Sequence, residues 1–242
     1  MRLALETSSL CNRRCVTCIR NSHPDKQEIE SWFKPNWLSM DIIKQALDQY
    51  ARMKIKNREV CLSHFNEPLT DARIVDIVKL AKSYNQFSLV YFDTNGDLLT
   101  KEIAKSLDGI LDKIVISMYV KKPRKLERDK RFRSFFQKTK VVTLMNNVHV
   151  TTHFSPNIDE KALIFTHRNS PCTETHRRLI INHRQQFLLC CEDVIGNFAL
   201  GSFPDIGLEE YWYGTNRLRI VRNLDKPKGR WWHQYCRTCP RA

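Results

Sequence analysis

The sequence predicts an α/β fold in which parallel strands, each followed by a helix, form a partial barrel. Short apolar runs typical of strands alternate with segments of helical periodicity. Cysteines and polar residues follow the ends of these runs, where the chemistry of such barrels collects. At 242 residues the chain is long enough for one barrel-like domain with a smaller appendage.

The predicted strands are short and apolar. The first covers residues 2–7 and leads into a cysteine-rich loop. Three more are predicted at 59–63, 88–92 and 113–119, and a fifth at 148–154. Right-handed crossovers between parallel strands would bring the residues after each strand to one end of the barrel.

The predicted helices fill the intervals between the strands. Ser39 and Thr100 are predicted N-caps, because apolar side chains recur after each at helical spacing. A further helix is predicted over 72–84. Residues 21–38 show neither periodicity and predict a long loop.

Composition limits the cellular compartments and the binding partners that suit the chain. The nine cysteines are an odd number, and the chain begins without a charged and then apolar leader, so we expect free thiols in a reducing cytoplasm. No apolar stretch approaches the roughly 20 residues of a membrane span, so no membrane association is expected. The formal charge of +14, from 40 basic and 26 acidic residues, favours anionic partners.

Three cysteines follow the first strand, at Cys11, Cys15 and Cys18. Thiolates at this spacing can converge on one inorganic centre, and sulfur ligands favour zinc, copper(I) or an iron–sulfur cluster. A structural zinc site takes four protein ligands, whereas a cluster held by three leaves one iron open. A zinc site completed by a distant His or Cys is the alternative.

The Cys-x3-Cys-x2-Cys spacing resembles the signature of radical S-adenosylmethionine (radical SAM) enzymes. The resemblance implies a partial (β/α)6 barrel over residues 1–165, in which Cys11, Cys15 and Cys18 hold a 4Fe–4S cluster and SAM occupies its fourth iron. An electron donor such as flavodoxin or ferredoxin would reduce the cluster. SAM would then be cleaved to a 5′-deoxyadenosyl radical that takes hydrogen from the substrate. Thr17 departs from the aromatic residue usual there.

Two later segments resemble the SAM-binding segments of the same family. Asn66-Glu67-Pro68 resembles a Gly-Glu-Pro segment whose carboxylate binds the SAM amino group, a partner suited to a charge-assisted hydrogen bond. Thr94-Asn95-Gly96 resembles the segment at the next strand end, and Ser117 matches a strand-end hydroxyl. A plain turn and an ordinary strand serine are the alternatives. The implied SAM-binding residues are Asn66, Glu67, Pro68, Thr94, Asn95 and Ser117.

A second set of cysteines lies near the C-terminus and, by spacing alone, suits a four-thiolate zinc or iron–sulfur site. The motif order of residues 166–242 resembles the twitch version of the SPASM auxiliary domain, most closely in 2-deoxy-scyllo-inosamine dehydrogenases. The resemblance implies a second, auxiliary 4Fe–4S cluster. Cys191 is a spare thiol or an alternative ligand, and Cys61 is expected in the core. The implied ligands are Cys172, Cys190, Cys236 and Cys239.

The same resemblance leaves the substrate open. The dehydrogenases have an Asn-Arg-Gly-Gly stretch after the last barrel strand, with the arginine at the substrate, whereas this chain reads Thr-His-Phe-Ser-Pro-Asn over 152–157. His153 is a candidate catalytic base or hydrogen-bond partner, and a structural histidine is the alternative.

Residues 121–140 carry ten Lys or Arg, with Phe132, Phe135 and Phe136 interleaved. Such a stretch can bind single-stranded nucleic acid through phosphate contacts and base stacking. The i, i+3, i+4 spacing of the three phenylalanines instead favours a crossover helix with a buried apolar face.

Three classes of function remain open at this point. Oxidation of a polar small molecule is favoured, because the tail is short, has one auxiliary site and comes without a peptide-binding leader domain. An anionic substrate would suit the charge. The alternatives are a maturase of ribosomal peptides and a nucleotide- or nucleic-acid-modifying enzyme. A zinc-binding module without enzymatic activity is the simplest alternative.

Overall fold

The computed structural model describes residues 1–15, 18–119, 122–144, 169–237 and 239. The chain divides into two compact units. The first comprises Met1–Asn12, Pro35–Val148 and Asn182–Arg184, and the second comprises Arg13–Lys34, His149–Ile181 and Gln185–Ala242. The boundary predicted between residues 165 and 166 lies outside the described residues, so the division into 1–165 and 166–242 stays a prediction.

The first unit is built on a parallel sheet. Its strands are β1 (Arg2–Leu5), β2 (Arg58–Cys61), β3 (Phe87–Thr94), β4 (Lys113–Ser117) and β5 (Lys140–Leu144). They lie in the order β5-β4-β3-β2-β1, and every neighbouring pair is parallel. Leu3 is in register with Val60, and Val60 with Val90, all three fully buried. Parallel pairing brings the C-terminal ends of the strands to the same edge of the sheet.

The helices of the described chain are short to medium in length. They are α1 (Ile19–Ser22), α2 (Lys26–Trp32), α3 (Met40–Arg52), α4 (Ile74–Lys82), α5 (Lys101–Leu107), α6 (Lys122–Arg133), α7 (Leu208–Tyr213), α8 (Thr215–Leu224) and α9 (Gln234–Arg237). None in the described residues is long and apolar enough to cross a membrane.

The predicted caps and four of the predicted strands are confirmed to within a few residues. The Ser39 hydroxyl accepts the amide hydrogen of Ile42 at 3.1 Å and begins α3, and the Thr100 hydroxyl accepts that of Ile103 at 3.3 Å and begins α5. These hydrogen bonds satisfy amides that a helix leaves free in its first turn. An α/β fold with a parallel sheet is therefore what the sequence specifies.

The prediction of a long loop over residues 21–38 is wrong, because α2 lies within it. The Asp25 carboxylate caps that helix by accepting the Glu28 amide at 2.8 Å. Ile29 is its buried residue, so a short helix with a single buried side chain produces no apolar stripe for periodicity to detect.

The basic stretch also differs from the predicted single crossover helix. Helix α6 ends at Arg133, and strand β5 begins at Lys140. The buried-face interpretation of the aromatic residues is confirmed for Phe132 and Phe136, whose side chains are buried. The strand predicted over 148–154 lies outside the described residues.

The second unit contains a pair of antiparallel strands and a stacked pair of aromatic rings. Strands β6 (Arg178–Ile181) and β7 (Phe187–Leu188) pair antiparallel. The Phe187 ring stacks on the Tyr211 ring with centroids 4.1 Å apart, and the Tyr211 hydroxyl donates to the Leu188 carbonyl at 2.9 Å. A separate apolar cluster contains Cys172, Leu189, Val221 and Leu224.

Candidate cofactor sites

Glu67 lies at the strand-end edge of the first unit and is 2% exposed. One carboxylate oxygen accepts the Thr94 hydroxyl at 2.6 Å and the Leu69 amide at 3.1 Å. The other oxygen accepts the Asn95 amide at 2.7 Å. Glu67 thereby joins the segment after β2 to the end of β3, and brings three of the predicted SAM-binding residues together.

The hydrogen-bond donors that the described residues offer to Glu67 are neutral. Burial raises the pKa of Glu67 above its ordinary value, although the hydrogen bonds from Thr94, Asn95 and Leu69 act in the opposite direction. Neutral donors stabilise a carboxylate less than a charged group does. The site is therefore chemically suited to an amino group that brings a positive charge.

The remaining predicted SAM-binding residues of the first unit hold the neighbouring turns. Asn66 accepts the His64 amide at 2.9 Å through its side-chain oxygen, and its side-chain nitrogen donates to the Thr7 hydroxyl at 3.3 Å. Pro68 opens a 3-10 turn over Pro68–Thr70. Ser117 is the last residue of β4 and is half-buried.

The turn over 94–97 is braced by helix α6. Arg128 donates one guanidinium nitrogen to the Asn95 carbonyl at 2.9 Å and to the Asp97 carboxylate at 2.7 Å. Gly96 has φ of 71°, and an added Cβ would lie 2.9 Å from Ile116 and 3.0 Å from Phe132. Only glycine fits between the turn and α6 without a displacement.

The first three cysteines are divided between the units. Cys11 belongs to the first unit, and Cys15 and Cys18 belong to the second. The Cys18 amide donates to the Cys15 carbonyl at 3.1 Å, and the Cys18 carbonyl accepts the amides of Asn21 and Ser22, which belong to α1. Their assignment as ligands of one cluster stays a prediction.

Sequence reasoning missed a buried pair directly after β1. Glu6 Oε2 and His183 Nδ1 are 2.7 Å apart, and both side chains are buried. The other Glu6 oxygen accepts the Phe65 amide at 3.0 Å. Burial alone would raise the pKa of Glu6, but its hydrogen bond and charge interaction with His183 outweigh burial and lower it. The two residues are 177 positions apart in the chain, so no local sequence pattern predicts their contact.

The cysteines predicted as auxiliary ligands lie together in the second unit. They line one cavity with about 300 Å³ of space free of protein atoms, including its mouth. Among the described residues, no three Cys, His, Asp or Glu side chains are grouped closely enough to hold a single metal ion. Cavity walls are also formed by Leu189, Glu192 and Arg230. The four thiols are Cys172, Cys190, Cys236 and Cys239.

The protein surroundings of two thiols in this cavity disfavour their ionised form. Burial, followed by the neighbouring Cys191, raises the pKa of Cys190 well above its ordinary value. Burial, followed by the nearby Cys239 and Cys172, raises the pKa of Cys236 to about 12. A bound metal centre would deprotonate such thiols and compensate their charge. The four cysteines are a donor set that would fit a thiolate-ligated iron–sulfur cluster.

Two predicted features are not tested in this part of the chain. His153 lies outside the described residues, so its role as a base stays a prediction. Cys191 is buried beside the cavity, and its sulfur lies 3.7 Å from a Glu174 carboxylate oxygen. That hydrogen bond is compatible with Cys191 as a spare thiol and does not require Cys191 to be a metal ligand.

The first unit has polar residues at the ends of its parallel strands, and the second has a group of thiols. These features are typical of a protein that binds a polar cofactor and a thiolate-ligated metal. The model of the Radical SAM superfamily matches residues 5–154, which is more than half of the chain. The chain therefore belongs to the radical SAM superfamily and is a radical SAM enzyme. The family implies SAM and a 4Fe–4S cluster.

Solved structures show the same fold along nearly the whole chain. BtrN in complex with AdoMet and 2-DOIA has a TM-score of 0.80 at 18% identity, covering 100% of this chain and 93% of that one. Native anSMEcpe with bound AdoMet and Kp18Cys peptide has a TM-score of 0.65 at 12% identity, covering 99% and 88%. At these identities the likeness concerns the fold.

A curated relative is more similar in sequence over a shorter span. The GTP 3′,8-cyclase of Limosilactobacillus fermentum is 29% identical over 113 residues, which is 47% of this chain. The match spans 32% of that relative, so the chain corresponds to about a third of its length.

Proposed function

We propose that the protein is a radical SAM dehydrogenase that oxidises a polar small molecule in two one-electron steps. The observation that supports it is the cavity lined by Cys172, Cys190, Cys236 and Cys239. We assign this cavity to an auxiliary 4Fe–4S cluster, in a twitch-like domain. Cys11, Cys15 and Cys18 hold the core cluster.

A second cluster is chemically useful in an oxidation. The core cluster and SAM together supply a 5′-deoxyadenosyl radical when bound. A substrate carbon that bears a hydroxyl loses a hydrogen atom to that radical. The resulting substrate radical must still lose one electron and the hydroxyl proton to become a carbonyl. A cluster held by Cys172, Cys190, Cys236 and Cys239 would supply the one-electron acceptor, and His153 is the proposed base for the proton.

Glu67 has the clearest proposed role in SAM binding. Its carboxylate is buried and accepts three hydrogen bonds, all from neutral donors among the described residues. The SAM amino group would supply a cationic partner, with Asn66, Pro68, Thr94, Asn95 and Ser117 forming the surroundings. The positive charge of the chain suits an anionic substrate and an acidic donor such as flavodoxin or ferredoxin.

Iron analysis tests this proposal directly. After anaerobic reconstitution, we expect about eight irons per chain, because two clusters hold four each. Changing Cys11, Cys15 and Cys18 together to Ala should leave about four irons and abolish SAM cleavage. Stoichiometric zinc without iron in the wild-type protein would refute the proposal.

A nucleotide substrate is the second candidate function. The match to a GTP 3′,8-cyclase and the net charge of +14 favour it over a ribosomal peptide. Reduced enzyme with SAM should be supplied in parallel with polyols, amino alcohols, nucleoside triphosphates and a glycine- and cysteine-rich peptide. Release of 5′-deoxyadenosine above the substrate-free rate identifies the class, and a carbonyl product identifies oxidation.

A further inference from the structure

Arg230 is an unusually placed charge in the second unit. Its side chain is 1% exposed and is the largest fully buried side chain among the described residues. It forms part of the wall of the cavity that contains the four thiols. Burying a guanidinium is costly unless an opposite charge compensates it. Arg230 therefore places a buried guanidinium in the same cavity wall as the four thiols.

The backbone holds Arg230 at this position. Arg230 lies in a 3-10 turn over Gly229–Trp232, entered through Lys228 at φ of 63°. A Cβ on Gly229 would be only 1.8 Å from the Asn223 carbonyl oxygen, so the turn packs directly on the end of α8. The Arg230 carbonyl accepts the His233 amide at 3.3 Å and connects the turn to the helix that carries Cys236.

We propose that Arg230 sets the reduction potential of the auxiliary cluster by stabilising its reduced form. This inference rests on the proposed function, because it requires a cluster in the cavity. A 4Fe–4S cluster with four thiolate ligands is anionic, and it gains a further negative charge when reduced. A nearby buried cation stabilises the more negative state more strongly, because the interaction energy grows with charge and is weakly screened. Arg230 therefore raises the potential.

Arg230 shares the cavity wall with the thiols of Cys236 and Cys190. A carboxylate, that of Glu192, also lines the cavity. Ionised carboxylates disfavour a reduced cluster, so Arg230 is the group that acts in the opposite direction.

This role fits the proposed oxidation. The substrate radical releases one electron as its hydroxyl proton leaves, and the carbonyl forms. A more positive acceptor makes that transfer more favourable. Arg230 is then a positioning charge, which acts through the cluster and does not need to touch the substrate.

The test is a redox titration of the second cluster. In the full-length Cys11/Cys15/Cys18→Ala background only this cluster contributes to the signal, and the holoenzyme provides the comparison. Arg230→Gln should lower the equilibrium constant for cluster reduction about tenfold, a shift of about 59 mV for one electron. Arg230→Lys, which keeps the charge, should stay close to the wild-type potential.

Arg217→Gln is the matched control. Arg217 is a buried arginine of the same unit, but its guanidinium stacks on the Trp212 ring at 3.7 Å and it is not among the residues of the cavity wall. An equal shift in this control, or no shift in Arg230→Gln with its four irons retained, would overturn the inference. A wild-type protein without a second cluster would instead refute the proposed function.

The Arg230→Gln variant could lose the cluster instead of shifting its potential. Arg230→Lys then decides the outcome. Restoration of four irons at a potential near that of the wild type supports an electrostatic role. Failure of lysine to restore them overturns the inference in favour of a packing role for the guanidinium.

Discussion

The carboxylate site of the first unit and the thiol cavity of the second differ in what holds them. Glu67 is fixed by three hydrogen bonds from the protein itself. The thiols of Cys190 and Cys236 gain little from their surroundings, and burial raises the pKa of both. The first site is held by hydrogen bonds of the protein itself, whereas the proposed cluster would supply the stabilisation that the thiols of the second lack.

Both units have fully buried apolar side chains. In the first unit they include Leu3, Val60 and Val90 on the sheet, and in the second unit they include Ile180 and Phe187. The second unit differs from the first in its cavity lined by four thiols. Metal binding to such a thiol set commonly contributes folding free energy.

Removal of iron is therefore the largest expected perturbation. Chelation under anaerobic, reducing conditions should bring the amides of residues 172–237 close to unprotected hydrogen-exchange rates, because the metal supplies much of the folding free energy there. The amides of β1 to β4 should keep most of their protection. Equal loss of protection in both units would contradict the proposed difference, and re-addition of iron and sulfide is the control.

Removal of two auxiliary thiols should separate the two chemical steps. Cys236→Ala with Cys239→Ala should lower iron from about eight to about four per chain. SAM cleavage should decline less than product formation, because the core cluster generates the radical and the auxiliary cluster completes the oxidation. Cys61→Ala, a buried thiol in β2, is the matched control. Wild-type product rates in a folded double variant would favour a redox-neutral reaction.

The buried pair in the first unit should give a smaller but clear effect on stability. Glu6→Ala leaves His183 and the Phe65 amide without their partner, and breaking a buried pair costs about 3–5 kcal/mol. Urea unfolding of the iron-loaded protein measures the free energy of unfolding. The lowered pKa of Glu6 means that its contribution is complete above the reference value of 4.5 and is lost as pH falls toward the folded pKa.

Glu6→Gln is the control for this pair, since it keeps an acceptor for the Phe65 amide while removing the charge. It should be less destabilising than Glu6→Ala and should remove the pH dependence. A cost in Glu6→Ala below about 1 kcal/mol would mean that the pair contributes little beyond a surface ion pair.

Local signals predicted much of the fold of the first unit. Ser39 and Thr100 were identifiable as caps because each is followed by apolar residues at helical spacing. The short helix at Lys26–Trp32 was missed because it buries Ile29 alone. The spacing of Asp25 and Glu28 is that of a capping pair and could have revealed it.

The sites were predictable to different depths. The resemblance of the tail to an auxiliary iron–sulfur domain implied the four cysteines that line the cavity, and their role as ligands stays a prediction. The Glu6–His183 pair and the cavity-facing side chain of Arg230 depend on tertiary packing between distant segments. Neither has a local pattern, so each required the folded chain.

The last prediction concerns the two buried carboxylates of the first unit. The pKa of Glu67 is raised chiefly by burial, whereas the pKa of Glu6 is lowered because its interactions with His183 outweigh burial. If the SAM amino group supplies a cationic partner, SAM binding should lower the pKa of Glu67 and release a proton. By linkage, SAM affinity should then rise with pH above the reference value of 4.5 and level off once the free carboxyl is ionised.

The dissociation constant for SAM should be measured in the reconstituted protein from about pH 5 to pH 6.5, below the ordinary range of an α-amino group. The slope is at most about tenfold per pH unit, since one proton is exchanged. Glu67→Gln should weaken binding and flatten the dependence, because the amide cannot ionise. The same slope in Glu67→Gln would assign the titration to another group. Unchanged affinity would leave Glu67 as a structural cap, tying β3 to the turn after β2 without touching SAM.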